Sequence, residues 1–125
     1  MPPDMQDREA ALLLDMVLAI RDALGFVSGM DEEAFTASRL HQNAVIRSLE
    51  VIGEAAGKLL PEFISANPEI SWREITGMRH RLIHGYADVR LDVVWAVVHN
   101  SLPPLLEALT PLLPPTPDET AMDKL

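Results

Sequence analysis

The chain reads as an all-α protein, an antiparallel four-helix bundle, and three observations predict it. Apolar residues recur at steps of three and four nearly throughout, the period of one helix face. No strand-length alternation bounded by turn pairs occurs anywhere. The interruptions fall at glycine, proline and capping residues, so that each helix meets the next through a short connection. With 48% hydrophobic residues among 125, the chain has too much apolar surface for a disordered protein and enough for one packed core.

The first helix carries Leu13, Met16 or Val17, Ile20, Leu24 and Val27 as one stripe. Gly25 and Gly29 then loosen the backbone, and Asp31-Glu32-Glu33 begins a polar connection. A second helix starts near Thr36 or Ser38, both good N-caps, with Val45, Leu49, Ile52, Ala56 and Leu59 inward, and Pro61 ends or bends it. Asn67-Pro68 marks a break, because the residue before proline is pushed out of helical geometry. Ser71-Trp72-Arg73-Glu74 has the spacing of a capping box and opens a third helix that frays near His84, with Gly85 after its end. The last helix places Leu91, Trp95, Val98, Leu102, Leu105, Leu109 and Leu112 along a bundle seam, kinked or broken at Pro103-Pro104. Residues 1–113 form one helical domain and 114–125 read as a disordered tail.

Composition narrows the chemistry. There is no cysteine, which removes disulfides, thiolate catalysis and thiolate metal sites together and leaves the redox compartment open. The net charge of −9 argues against non-specific coating of nucleic acid, yet the charge is polarised. Arg73, Arg79, Arg81 and Arg90 fall in one short window with His80 and His84. The N-terminus has no basic region leading into an apolar run, and no apolar run reaches the length of a membrane span. A soluble, cytoplasmic protein without a membrane partner is the expectation.

Candidate chemistry concentrates in Arg79-His80-Arg81-Leu82-Ile83-His84-Gly85-Tyr86, which holds two guanidinium groups, two imidazoles and the only tyrosine. Arginine holds two phosphate oxygens with a planar fork and stays charged at any cellular pH. Histidine titrates near neutrality and suits proton transfer, and a helix C-terminus favours its cationic form. Arg79 and His84 are separated by roughly 140° and about 7.5 Å on an ideal helix, so they converge on one ligand only if the helix ends at Gly85 and His84 turns back, or if two subunits each contribute. The bland reading is a charged helix end at the surface. His41 and His99 read as surface or interface residues, and Trp72 and Trp95 as packing anchors. Gly53-Glu54-Ala55-Ala56-Gly57-Lys58 is one residue short of a phosphate loop, lacks its hydroxyl and lies in a helical stripe. His80 and His84 are four apart, but a histidine pair alone is weak support for zinc. No metal or cofactor is expected.

The blocks Val45–Ala56, Ile70–Arg79, His84-Gly85-Tyr86 and Val94-Trp95 together resemble the HepT-like toxins of the HEPN superfamily. The similarity covers roughly residues 8 to 113. The resemblance implies a HEPN-like helical fold, a homodimer whose two copies line one cleft, and a metal-independent ribonuclease toxin acting on RNA. It implies Arg79 and His84 as catalytic residues, with His80, Arg81, Arg73 and Arg47 supporting the RNA phosphates. It further implies a small nucleotidyltransferase antitoxin, MntA-like, that attaches AMP to Tyr86 and silences the toxin. The position after the arginine is usually asparagine in that family and here is His80. The alternative is a non-catalytic HEPN module that binds nucleotides or a nucleotidyltransferase, with Arg79 and His84 only holding phosphate.

Overall fold

The computed structural model describes residues 3–83 and 89–114, with side chains described at 7–78 and 89–114. All regular structure among them is helical: α1 (Pro3–Phe26), α2 (Glu32–Thr36), α3 (Arg39–Gly57), α4 (Pro61–Ala66), α5 (Trp72–Ile83), α6 (Leu91–Ala96) and α7 (Leu102–Leu109). A π-helical turn, Val97–Ser101, joins α6 to α7, and a 3-10 turn, Thr110–Leu112, comes after α7. The bundle consists of α1, α3, α5 and the composite α6–α7. α3 packs against both α1 and α5, and α1 against α7.

The stripes read from the sequence form the core. Leu13, Met16, Val17 and Ile20 of α1, with Val27 just beyond it, meet Val45, Leu49, Ile52, Ala56 and Leu59, all buried. Each fully buried leucine, isoleucine or valine side chain is worth about 1.5–3 kcal/mol over an exposed one, so two such stripes facing each other hold α1 to α3. Ser38 caps α3 as expected, its side chain accepting from the His41 N–H.

Three expectations need correction. The stretch Asp31-Glu32-Glu33 is not a plain connection: Asp31 Oδ1 accepts the Ala34 N–H at 2.8 Å and starts α2. Burial of Phe35 holds that single turn in place, and Thr36 sits inside it rather than capping α3. Pro61 begins a helix rather than ending one: α3 stops at Gly57, and the missing N–H of the proline is harmless at the first position of α4. The Ser71–Glu74 capping pair is not among the described hydrogen bonds; the Ser71 carbonyl accepts the Ile75 N–H.

The last helix is interrupted, and the interruption sits one turn before the prolines. Pro103 and Pro104 cannot donate to the carbonyls four residues earlier, those of His99 and Asn100. The backbone widens there, with the Leu102 N–H reaching back to the Val97 carbonyl. Val94, Val98, Leu102 and Leu109 share one buried face through it. Of the expected tail, 114–125, only Pro114 lies within the described residues.

Candidate functional site

The cation-rich segment begins within α5, and local packing fixes where that helix starts. The Asn67 carbonyl accepts the Trp72 Nε1–H at 3.0 Å, and Phe63 meets the Trp72 ring edge-on at 6.0 Å. Trp72 and Ile75 are buried. Trp72 therefore acts as the anchor expected of it. Arg73 and Glu74, on the other side of the helix, are exposed.

Helix periodicity orders the remaining turns of α5. Arg79 comes seven residues after Trp72, within about 20° of the same azimuth, so it occupies a register position of the inward face. His80 stands in the same relation to exposed Arg73. The backbone of Arg79, His80 and Arg81 belongs to the last turns of α5. Their side chains, and His84, Gly85 and Tyr86 entirely, lie outside the described residues.

Of the supporting arginines, Arg73 stands in the first turn of α5, whereas Arg47 lines a groove between α1 and α3 with Asp15 and Asp22 on its opposite wall. Arg47 also pairs loosely with Glu50 at 3.5 Å. A second groove, about 450 Å³, runs between α5 and α7 over an apolar floor that includes Ile75, Met78 and Leu105. Glu69 and Glu74 stand on its rim, so it does not attract phosphate. Arg90, just before α6, is fully exposed and bound to Asp92 at 2.7 Å. That hydrogen bond holds the Asp92 carboxyl below its ordinary range and raises Arg90.

The remaining singled-out residues have structural partners. His41 Nδ1 lies 2.6 Å from Ser38 Oγ at the start of α3. His99 Nδ1 is 2.9 Å from the Trp95 carbonyl, which can only accept, so Nδ1 carries the proton. The His99 ring lies 4.0 Å from Trp95, which in turn packs on Phe35 at 5.4 Å. Gly53 to Gly57 are the last residues of α3, helical rather than a phosphate loop. Among the described residues no group of three histidine or carboxylate side chains is placed to hold a metal. None of the described helices is long and apolar enough to cross a membrane. Sequence reasoning passed over Glu9, a buried carboxylate that accepts the Leu60 N–H at 3.3 Å and so supplies the cap α4 lacks. Nothing in local sequence signals a contact between groups 51 residues apart.

Against known proteins, residues 16–112 match the family model described as ribonuclease HepT-like, from the middle of α1 to the end of the last helix. A protein of Thermococcus cleftensis named "Probable ribonuclease HepT" is 40% identical over 93 residues, 74% of this chain and 84% of that protein. "Putative RNase MJ0127" of Methanocaldococcus jannaschii is 37% identical over 93 residues, 74% of this chain and 77% of its own length. "Putative RNase MJ1380" of the same organism is 32% identical over 93 residues, covering 74% and 85%. No solved structure matches the chain. With its helical bundle and a matched span that contains the whole Arg79–Tyr86 segment, the chain belongs to the ribonuclease HepT-like family.

Proposed function

We propose that this protein is the toxin of a toxin–antitoxin pair, a metal-independent endoribonuclease of the cytoplasm that works as a homodimer. The observation that carries the reading is the family match, which runs unbroken through α5 and the Arg79–Tyr86 segment. Cleavage of RNA without a metal needs three things: a base for the 2′-hydroxyl, a cation for the crowded phosphorane and an acid for the leaving oxygen. Neutral His84 takes the 2′-hydroxyl proton as that oxygen bonds to phosphorus. The bond to the 5′-oxygen breaks, and a protonated His84 from the second copy returns a proton to it. Arg79 holds the phosphorus oxygens as their charge grows. The products are a 2′,3′-cyclic phosphate and a 5′-hydroxyl end. His80, Arg81 and Arg73 draw the flanking backbone in, and Arg47 draws in RNA that reaches the α1–α3 groove.

Silencing is a matter of charge. A nucleotidyltransferase antitoxin, the proposed partner, joins the Tyr86 hydroxyl to the α-phosphorus of ATP and releases pyrophosphate. The attached AMP brings bulk and negative charge to the phosphate-binding segment and repels RNA. The net charge of −9 favours a second reading, a non-catalytic module that only holds nucleotide phosphates or its partner.

One experiment separates the two. Wild type, Arg79→Ala and His84→Ala are expressed, and growth and RNA ends are tracked with and without chelator. Each variant is expected to lose about 10²–10⁴-fold in cleavage, with wild-type cleavage unchanged by chelator. Equal RNA decay by wild type and His84→Ala removes the imidazole from the chemistry and leaves the binding module. In the same cells Tyr86→Phe keeps cutting when the antitoxin is present; full sensitivity of that variant excludes modification at Tyr86.

A further inference from the structure

We propose that the groove between α5 and α7 is a docking site for a short helical segment of a partner protein, apolar on one face with arginine or lysine at its edges. The groove is a trough rather than an enclosed cavity. Its α5 wall runs from Ser71 to Met78, about 10 Å, and its other wall follows the π turn and α7 from Val97 to Ala108. Exposed Ser71, Ser101 and Pro104 mark the open side. Along the floor Met78, Val97, Leu105 and Ala108 are only half-buried, so apolar surface here stays in contact with water. About 450 Å³ takes a few aliphatic side chains in a row, the contact that one face of a helix makes when it lies in a groove. Met78 adds a side chain that adapts to what it meets.

Charge selects the occupant. Glu69, just before α5, and Glu74, in its first turn, are exposed, and neither forms an ion pair with a described residue. Among the described residues no cation lines the groove. Pro104 on the opposite wall has no N–H to offer, so the two serine hydroxyls are the only side-chain donors around the opening. An arginine, with five donors and no acceptor, matches such a rim. RNA phosphates are repelled by it. A second copy of a chain with net charge −9 approaches against the same field. A segment whose cations flank an apolar face meets neither obstacle.

Placement gives the groove a consequence. Its α5 wall ends at Met78, the residue before Arg79, so an occupant lies along the first two turns of α5 and the cation-rich segment begins beyond it. Partner and phosphate therefore use different lengths of one helix, and the protein can hold both at once.

The test uses two synthetic peptides of about fifteen residues, long enough to be helical, that share a leucine–alanine face. One is flanked by arginine and the other by glutamate. Each is titrated into the full chain while the amide shifts of Ser71–Met78 and Val97–Ala108 are followed. The arginine peptide is expected to move those shifts and to bind roughly tenfold or more tightly than the glutamate peptide. Reversing the exposed carboxylates leaves the core untouched, and Glu69→Lys/Glu74→Lys is expected to invert the preference. Leu105→Ser, checked for helix content by circular dichroism, is expected to weaken the arginine peptide by a similar factor. No binding of the arginine peptide, equal affinity for the two, or an unchanged preference in the double variant overturns the proposal. Other occupants would show themselves in the same samples, and each overturns it. A dimer in sedimentation that Leu105→Ser separates puts a second copy in the groove. Lys124→Glu moving these shifts with no peptide present puts the chain's own tail there, and a single-stranded RNA that moves them puts nucleic acid there. No arm depends on cleavage, so loss of the ribonuclease reading leaves the docking site standing.

Discussion

α3 and the stretch Leu91–Leu109 are equally long and both supply core side chains, yet one is a continuous helix and the other is three pieces. In α3 every residue can donate to the ladder, and the apolar stripe and the backbone agree. In the last helix the apolar stripe persists across a place where two consecutive residues have no N–H to give. The π turn reconciles the two demands. The backbone opens where donors are missing, and the buried face continues through the opening.

If packing rules in both, removing a core side chain should hurt equally on either side. Leu49 of α3 is 0% exposed and Leu102, at the junction of the π turn and α7, 1%. Leu49→Ala and Leu102→Ala are each expected to lose about 2–5 kcal/mol of stability in urea unfolding. The comparison breaks if Leu102→Ala loses less than about 1 kcal/mol, for then the broken helix is held less firmly than its neighbour.

A smaller effect sharpens the cause of the π turn. Changing Pro103 and Pro104 to alanine together restores two amide donors, and a continuous α-helix becomes possible. Val94, Val98, Leu102 and Leu109, at steps of four, four and seven, fall within about 80° of one another on a straight α-helix, so the buried face survives its formation. Each hydrogen bond regained is worth roughly 1 kcal/mol net. The wide turn is therefore expected to close in the double variant, with stability raised by about 1–2 kcal/mol. Backbone chemical shifts of Val97–Ser101 that stay away from α-helical positions would show that the packing, and not the prolines, imposes it.

The same contrast explains what was legible in the sequence. Long helices with one dominant stripe were readable, because burial repeats every turn: Val45, Leu49, Ile52 and Ala56 declare α3 by themselves. The two single-turn helices were not, since one turn holds too few positions for a period to show. α2 exists because Phe35 is buried and Asp31 caps it, and α4 because Glu9 reaches across from α1. For the site, Arg79 could be assigned to a helix and to its inward register from Trp72 onward. Its meeting with His84 could not, because spacing alone sets the two groups apart on a helix.

The start of each helix gives the smallest and most local comparison. Ser38 precedes α3 in extended geometry, and its hydroxyl accepts the His41 N–H, filling one of four amides without a helical partner. Arg90 precedes α6 in similar geometry but offers no acceptor, and its side chain turns instead to Asp92. Ser38→Ala should therefore lower stability by about 1 kcal/mol, whereas Arg90→Ala should leave the melting temperature unchanged at neutral pH. The Arg90–Asp92 pair has a defined sign: because Asp92 is held below its ordinary value, its contribution is present above the usual carboxylate range and lost as pH falls through the lowered value. Both groups are fully exposed, so salt screens that contribution, and a cap that satisfies a backbone amide outweighs it. If Arg90→Ala melts earlier than Ser38→Ala in a thermal scan at neutral pH, the surface pair matters more than the cap, and α6 is held at its first residue rather than by the buried Val94 face.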